Sequence, residues 1–180
     1  MISSANGDKA EYITLDREQI IMITNNASEK GKRIEDLRAA IEHRATWFYL
    51  LIKEAQKRGL DYDFARDAIR ACGRFHGAGK FPKTDDLTVF GPAFATENVQ
   101  NIFEMEVETT PEEMNITFHY CPLVTAWQKL GATEEEIAIL CDIAMDGDRG
   151  IADEYPAFDF HLGKTIAKGD GICEVCFKKS

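Results

Sequence analysis

Residues 116–150 read ITFHYCPLVTAWQKLGATEEEIAILCDIAMDGDRG, and the order of signals in this stretch decides the fold. It opens on an alternation. Ile116, Phe118 and Tyr120 share one side of a strand, and Thr117, His119 and Cys121 share the other. Pro122 stops that strand because it has no N–H for a ladder. It suits the first position of the helix LVTAWQKLG, where a missing N–H costs nothing. Thr133 and Glu136 then make a capping box ahead of EIAILCDIAMDGD. On that helix Ile137, Cys141, Ala144 and Asp148 lie on one stripe, with Asp142 and Asp146 on a neighbouring one. Gly147 and Gly150 are expected to end it. A strand feeding two short helices needs other strands to pair with.

Those strands flank the stretch. Upstream, NIFEMEVE places Phe103, Met105 and Val107 on one face and Glu104, Glu106 and Glu108 on the other, with TTPEE as the turn. Downstream, AFDFHLGKTIA places Phe158, Phe160 and Leu162 opposite Asp159 and His161. After the turn KGDG, ICEVCFKK groups Cys173, Val175 and Phe177 and turns Ile172, Glu174 and Cys176 the other way. Residues 102–180 therefore form a β-β-α-α-β-β module. Helices over one face of an antiparallel four-stranded sheet make the fold class α+β.

N-terminal helices precede the module, in a helical region and connection over residues 15–101. LDREQIIMITNNASEKG predicts a helix capped by Asp16 and ended by Gly31, with Ile20, Ile23 and Ala27 on one face. The strongest helix is KRIEDLRAAIEHRATWFYLLIKEAQKRG, with an apolar stripe of Ile34, Leu37, Ile41, Phe48, Leu51, Ile52 and Ala55. His43 on it reads as solvated, Trp47 and Tyr49 as core. A third helix, DYDFARDAIRACGRFHG, has Asp61 as its cap. Phe64, Ala68 and Ala71 or Cys72 face inward, Cys72 as a core thiol, and Gly73, Gly77 and Gly79 break the helix. Residues 80–101, with Pro82, Gly91 and Pro92, read as a long connection, either a lid or a short helix. Residues 1–14 are polar and are expected to be disordered or extended. Module and helical region are expected to pack as one globular unit.

The net charge of -10 excludes nonspecific binding to nucleic acid or to an anionic membrane. No apolar run reaches the length of a membrane span, and the first residues lack a signal-peptide pattern, so a cytoplasmic protein is expected. Five cysteines, an odd number without secretory context, point to free thiols, metal ligation or chemistry rather than a disulfide framework. The expected partner is a small polar or cyclic molecule. A homodimer is left open.

Two sets of residues carry candidate chemistry. His119 and Cys121 share a strand face, and Cys121 also starts a helix, where free N–H groups and the dipole favour a thiolate. The pair suits a nucleophile with a proton carrier, and equally half of a zinc site. Cys141, with Asp142, Asp146 and Asp148, can reach the same centre if its helix lies over the strand end. Cys173 and Cys176 look like a metal or redox motif, but three-residue spacing in a strand sends them to opposite faces. Cys173 alone can join the cluster. Cys121, Cys141, Cys173 and His119 are thus the candidate ligands of zinc or another transition metal, with a metal-free site equally compatible. His76, in a glycine-rich exit, can approach a ligand.

FHYCPLVTAWQKLGATEEEIAILCDIAMDGDRG, followed by a Pro-containing turn and TIAKGDGICEVCF, resembles the L-2-amino-thiazoline-4-carboxylic acid hydrolase family. The likeness rests on YCPL, LG, ILCD and GDGIC in that order, over roughly residues 30–178 and most firmly over 116–178. The same layout is similar to the 4-vinyl-reductase type of small-molecule-binding module. The first resemblance implies hydrolytic opening of the 2-amino-thiazoline-4-carboxylate ring at its amidine carbon, giving N-carbamoyl-cysteine. It falls on His119, Cys121, Cys141, Asp142, Asp146, Asp170 and Cys173. Under it, Cys121 or a metal-held hydroxide attacks, Asp142 or Asp146 pairs with the amidine, and His119 shuttles a proton. Arg74 or Arg149 meets the substrate carboxylate, with His76 and Asp170 as further substrate contacts. The second resemblance implies a non-catalytic small-molecule or metal sensor built on the same pocket.

Overall fold

A four-stranded antiparallel sheet, in the order β1-β2-β4-β3, organises the C-terminal half of the molecule. Its strands are β1 (Met105–Thr109), β2 (Glu113–Phe118), β3 (Phe158–Leu162) and β4 (Cys173–Lys179). The computed structural model describes residues 23–28 and 30–180. Ahead of the sheet come α1 (Lys32–Lys57), α2 (Asp63–Gly79), α3 (Leu87–Phe94) and α4 (Glu97–Phe103). Between β2 and β3 run α5 (Pro122–Lys129), α6 (Glu134–Ala144) and α7 (Asp146–Ala152). The architecture is the expected α+β one, with N-terminal helices, two strands, helices, then two strands.

Alternation along the strands separates the sheet's faces as the sequence indicates. Met114, Ile116, Val175 and Phe177 are buried, and with Phe158 they form a core beneath α3. The opposite face carries Glu106, Asn115, Thr117, His161 and Cys176, with Asn115, Cys176 and His161 side by side across three strands. A second core joins α1, α5 and α6 through Ala45, Tyr49, Ile52, Trp127, Leu140 and Ile143. Trp127 is 1% exposed, and its indole N–H donates to the Ala45 carbonyl at 3.1 Å, so its polar atom is satisfied inside that core.

Several expectations about the helices need correction. Residues 23–28 are not helical, so a helix reaching Gly31 is not formed there; the rest of that expectation, through residue 22, lies outside the described residues. Trp47 is exposed and donates to His43 Nε2 at 3.1 Å, while Tyr49 is buried as expected. The 80–101 connection holds α3 and α4. Its apolar patch is core, with Leu87 and Phe90 fully buried and the Phe90 ring 5.5 Å from that of Phe94. Asp86 caps α3 by accepting from the Thr88 N–H at 2.8 Å.

Helix α2 presents the face opposite to the expected one. Phe64, Ala68, Ala71 and Cys72 are exposed, and Ala65, Gly73 and Gly77 are buried. The glycines do not break α2, nor do Gly147 and Gly150 end the helical run, because both pairs form the surface through which α2 and α7 meet. A Cβ on Gly73 would run into the Gly147 carbonyl, and one on Gly150 into the Arg70 carbonyl. Contact this close needs small residues on both sides. It pulls the glycine face inward against the pull of Phe64 and Phe75. Among the described residues, no helix is long and apolar enough to cross a membrane.

Candidate active site

Cys121 stands where β2 ends and α5 begins. The His119 N–H bonds the Glu104 carbonyl at 3.1 Å and the Tyr120 N–H bonds the Phe103 carbonyl at 3.1 Å, which turns the chain out of the sheet. Cys121 is extended (φ -137, ψ 110) and occupies the N-cap position of α5, with Pro122 next. Asn25 clamps it from outside. Its Oδ1 accepts from the Cys121 N–H at 2.8 Å, and its Nδ2 donates to the Cys121 carbonyl at 2.8 Å. Among the described residues the Cys121 side chain makes no capping hydrogen bond to the helix. Burial pushes its pKa up, partly offset by the nearby Val124 and Leu123 N–H groups and by Arg44. The resting group is a thiol.

Cys141 on α6 and Cys173 at the start of β4 complete a three-thiol cluster. Each responds electrostatically to Cys121, and Cys141 also responds to Cys173. All three pack on the α1–α5–α6 core. Burial raises Cys173 to about 12, and Cys141 further, although Cys173 Sγ accepts from the Ile166 N–H at 3.2 Å. All three are free cysteines. Among the described residues, no group of three or more His, Cys, Asp or Glu side chains is arranged to hold a metal ion. Cys176 lies on the other sheet face, as strand geometry requires.

The remaining sequence candidates are placed elsewhere or already engaged. His119 is exposed and lies 3.3 Å from Glu106 on the open side of the sheet. The period-two argument that joined it to Cys121 needs a strand through residue 121, and β2 stops at Phe118. Asp142 and Asp146 share two arginines. Arg66 reaches them at 2.7 and 3.0 Å, and Arg149 reaches them at 2.8 Å each. Burial resists a charge on Asp142, but hydrogen bonds from Arg149 and Arg66 overcome it and hold the carboxyl below its usual range. Arg74 donates to Asp153 at 2.8 Å. His76 is exposed on α2 with its ring against Phe75, and Asp170 accepts from the Thr165 N–H at 2.8 Å. These contacts account for the side chains through structure alone.

Asp148 is the acid that the sequence groups with Cys141; Arg44 and Thr165 were not chosen from it. Asp148 is half-buried, and burial raises its carboxyl to about 6 despite Arg149 and Arg44. Arg44, on α1, exerts its field on both Asp148 and Cys121. Thr165 is 2% exposed and its hydroxyl has no hydrogen-bond partner among the described residues; it precedes Ile166, whose N–H holds Cys173. Cys121 and Asp148 are each half-buried, so part of each side chain stays open while most is packed away. Asp148 continues the Ile137–Cys141–Ala144 stripe in the sequence. Arg44 is exposed beside the buried Ala45, and neither it nor Thr165 carried a signal there.

No curated protein matches the chain. The likeness to a 4-vinyl-reductase-type module finds no support. A family model described as L-2-amino-thiazoline-4-carboxylic acid hydrolase matches residues 38–177, from α1 to β4 and across every element that contributes a thiol to the cluster. The chain belongs to the L-2-amino-thiazoline-4-carboxylic acid hydrolase family.

Proposed function

We propose that the protein hydrolyses the ring of 2-amino-thiazoline-4-carboxylate, or a close cyclic amidine, with Cys121 as nucleophile. The setting of Cys121 supports this reading: a half-buried thiol at a helix start, packed on the same core as Cys141 and Cys173, within a family named for that hydrolysis. A thiol whose pKa is raised by burial is protonated at rest, so the substrate must help to ionise it. The amidine nitrogen is basic enough to take the thiol proton. Transfer makes the nucleophile and the activated amidinium in one step.

The thiolate then bonds to the amidine carbon. The tetrahedral adduct breaks the ring bond from that carbon to sulfur, and the departing substrate sulfur takes the proton of Asp148. What remains on Cys121 is an isothiouronium. Water adds to the same carbon and gives a proton back to Asp148. The bond to Cys121 then breaks, and its sulfur takes the hydroxyl proton as the carbonyl forms. The product is N-carbamoyl-cysteine, the substrate plus one water. Asp148, with a pKa of about 6, suits this alternation between acid and base near neutral pH.

The test is incubation with L-2-amino-thiazoline-4-carboxylate, following release of a free thiol and a mass gain of one water. Cys121→Ala and Cys121→Ser are expected to lower kcat by about 1,000-fold or more, with little change in melting temperature. Full turnover by either variant would rule out the nucleophile. Tight binding without turnover by the wild-type protein would instead favour a sensor.

A further inference from the structure

We propose that the outward face of α2 is a two-fold interface, on which a second copy of this chain packs its own α2 in the antiparallel sense. The inference does not depend on the hydrolase reading.

Helix α2 carries two faces suited to helix contact, and α7 covers one of them. Gly73 and Gly77 meet α7, which turns Phe64, Ala68, Ala71, Cys72 and Phe75 outward. At helical spacing these five residues make one stripe, about 100° wide and about 16 Å long. Phe64 is 42% exposed and Phe75 is 75% exposed. Such a stripe normally faces a core, and left open it marks an interaction surface.

The order of residues along the stripe says what covers it. Phe64 and Phe75 are equally far from its midpoint, between Ile69 and Arg70, and so are Ala68 and Ala71. A two-fold antiparallel pairing about that point sets each Phe64 against Phe75 of the other copy and each Ala68 against Ala71. The alanines let the helix axes approach to about 8 Å, and the phenylalanines close both ends. The charges are complementary in the same pairing. Asp63, Asp67 and Arg74 lie along one edge of the stripe, with the aspartates toward its N-terminal end. Arg74 of one copy then comes level with the gap between Asp63 and Asp67 of the other, about 3 Å along the axis from each. All three residues are exposed. Among the described residues neither aspartate side chain makes a hydrogen bond or ion pair, and Arg74 commits only its Nε, to Asp153. The competing apolar face, Trp47, Leu50 and Leu51 on α1, has no small residue at its middle, and its acid Glu54 already bonds Lys57 and Arg58.

Sedimentation equilibrium of the full chain at micromolar concentrations is expected to give twice the mass of one chain. Ala68→Arg sets a charge at the midpoint while keeping a good helix former. It should weaken self-association by about 100-fold or more, with an unchanged far-UV circular dichroism spectrum. Asp67→Arg, which opposes Arg74 of the second copy, should weaken it by about tenfold. Leu51→Glu, on the α1 face, should leave it within about threefold of wild type. A short bismaleimide should join the two Cys72 thiols, whose backbones lie about 10 Å apart in this pairing, and Cys72→Ser should abolish that product. If Ala68→Arg does not fold, Asp67→Arg and the cross-link decide. A wild-type monomer at every concentration, a dimer broken by Leu51→Glu and kept by Ala68→Arg, or a cross-link that survives Cys72→Ser would overturn the proposal.

Discussion

The α2–α7 seam and the surroundings of the three buried and half-buried thiols treat polar groups in opposite ways. In the seam each carboxylate is answered. Asp142 and Asp146 share Arg66 and Arg149, Asp153 takes Arg70 and Arg74, and the glycines let the helices close until these contacts form. Outside the seam, among the described residues, Asp148 is desolvated without a bonded cation and the Thr165 hydroxyl has no partner. The seam spends its polar groups on stability. The unanswered groups are a cost of the kind proteins accept where they work.

Breaking the seam should produce the largest loss of stability. Gly73→Ala sets a methyl group against the backbone of α7, and backbone cannot move aside as a side chain would. An increase in the free energy of folding of about 3 kcal/mol or more is expected, read from urea unfolding. Recovery of wild-type stability in this variant would mean that the helices tolerate a wider spacing. Asp146→Ala removes the shared partner of Arg66 and Arg149 and should cost roughly 2–3 kcal/mol. The loss is below the full range for a buried pair because both arginines keep Asp142 and some access to water.

Asp148 provides the sharper contrast because its substitution is expected to act in the other direction. The folded protein raises its pKa from 3.8 to about 6. The group is protonated in both states at low pH and makes no difference there. As pH rises through 6 the folded state must carry a desolvated charge, and stability is lost. Asp148→Asn should therefore match wild type below about pH 4 and exceed it by about 1–2 kcal/mol above about pH 7, while kcat falls by about 100-fold. Asp153 has the opposite sign. The Arg70 hydrogen bond leads the effects that lower it from 3.8 to about 2, so its stabilising contribution is present above the upper value and is lost as pH falls through the lower. Melting temperatures across pH separate the two; an Asp148→Asn variant less stable than wild type at pH 7 would place Asp148 with the seam.

The same division explains what the sequence made legible. The sheet, its faces, the Thr133 capping box and the start of α5 at Pro122 depend on local spacing and backbone chemistry, and each can be read from a few neighbouring residues. That Cys121, Cys141 and Cys173 face one core could be read for the same reason: a strand end, a helix stripe and a strand face. Gly73 and Gly77 were misread because glycine weakens an isolated helix, and only the opposing helix reveals a contact surface. Asp142 and Asp146 looked chemically poised because their partner Arg66 is a distant residue in the chain.

The smallest effect falls on Thr165, where the two regions can be told apart without a charge. Valine keeps the branched shape and removes only the hydroxyl. A hydroxyl bonded within the protein would leave its partner unsatisfied when removed, and stability would fall. This one has no partner among the described residues, so Thr165→Val should leave folding unchanged or improve it by up to about 1 kcal/mol. If a bound substrate supplies the missing partner, the same variant should weaken binding of L-2-amino-thiazoline-4-carboxylate to Cys121→Ala by about three- to tenfold. Stable folding with weaker binding assigns Thr165 to the substrate site. Loss of stability with unchanged binding assigns it to the framework.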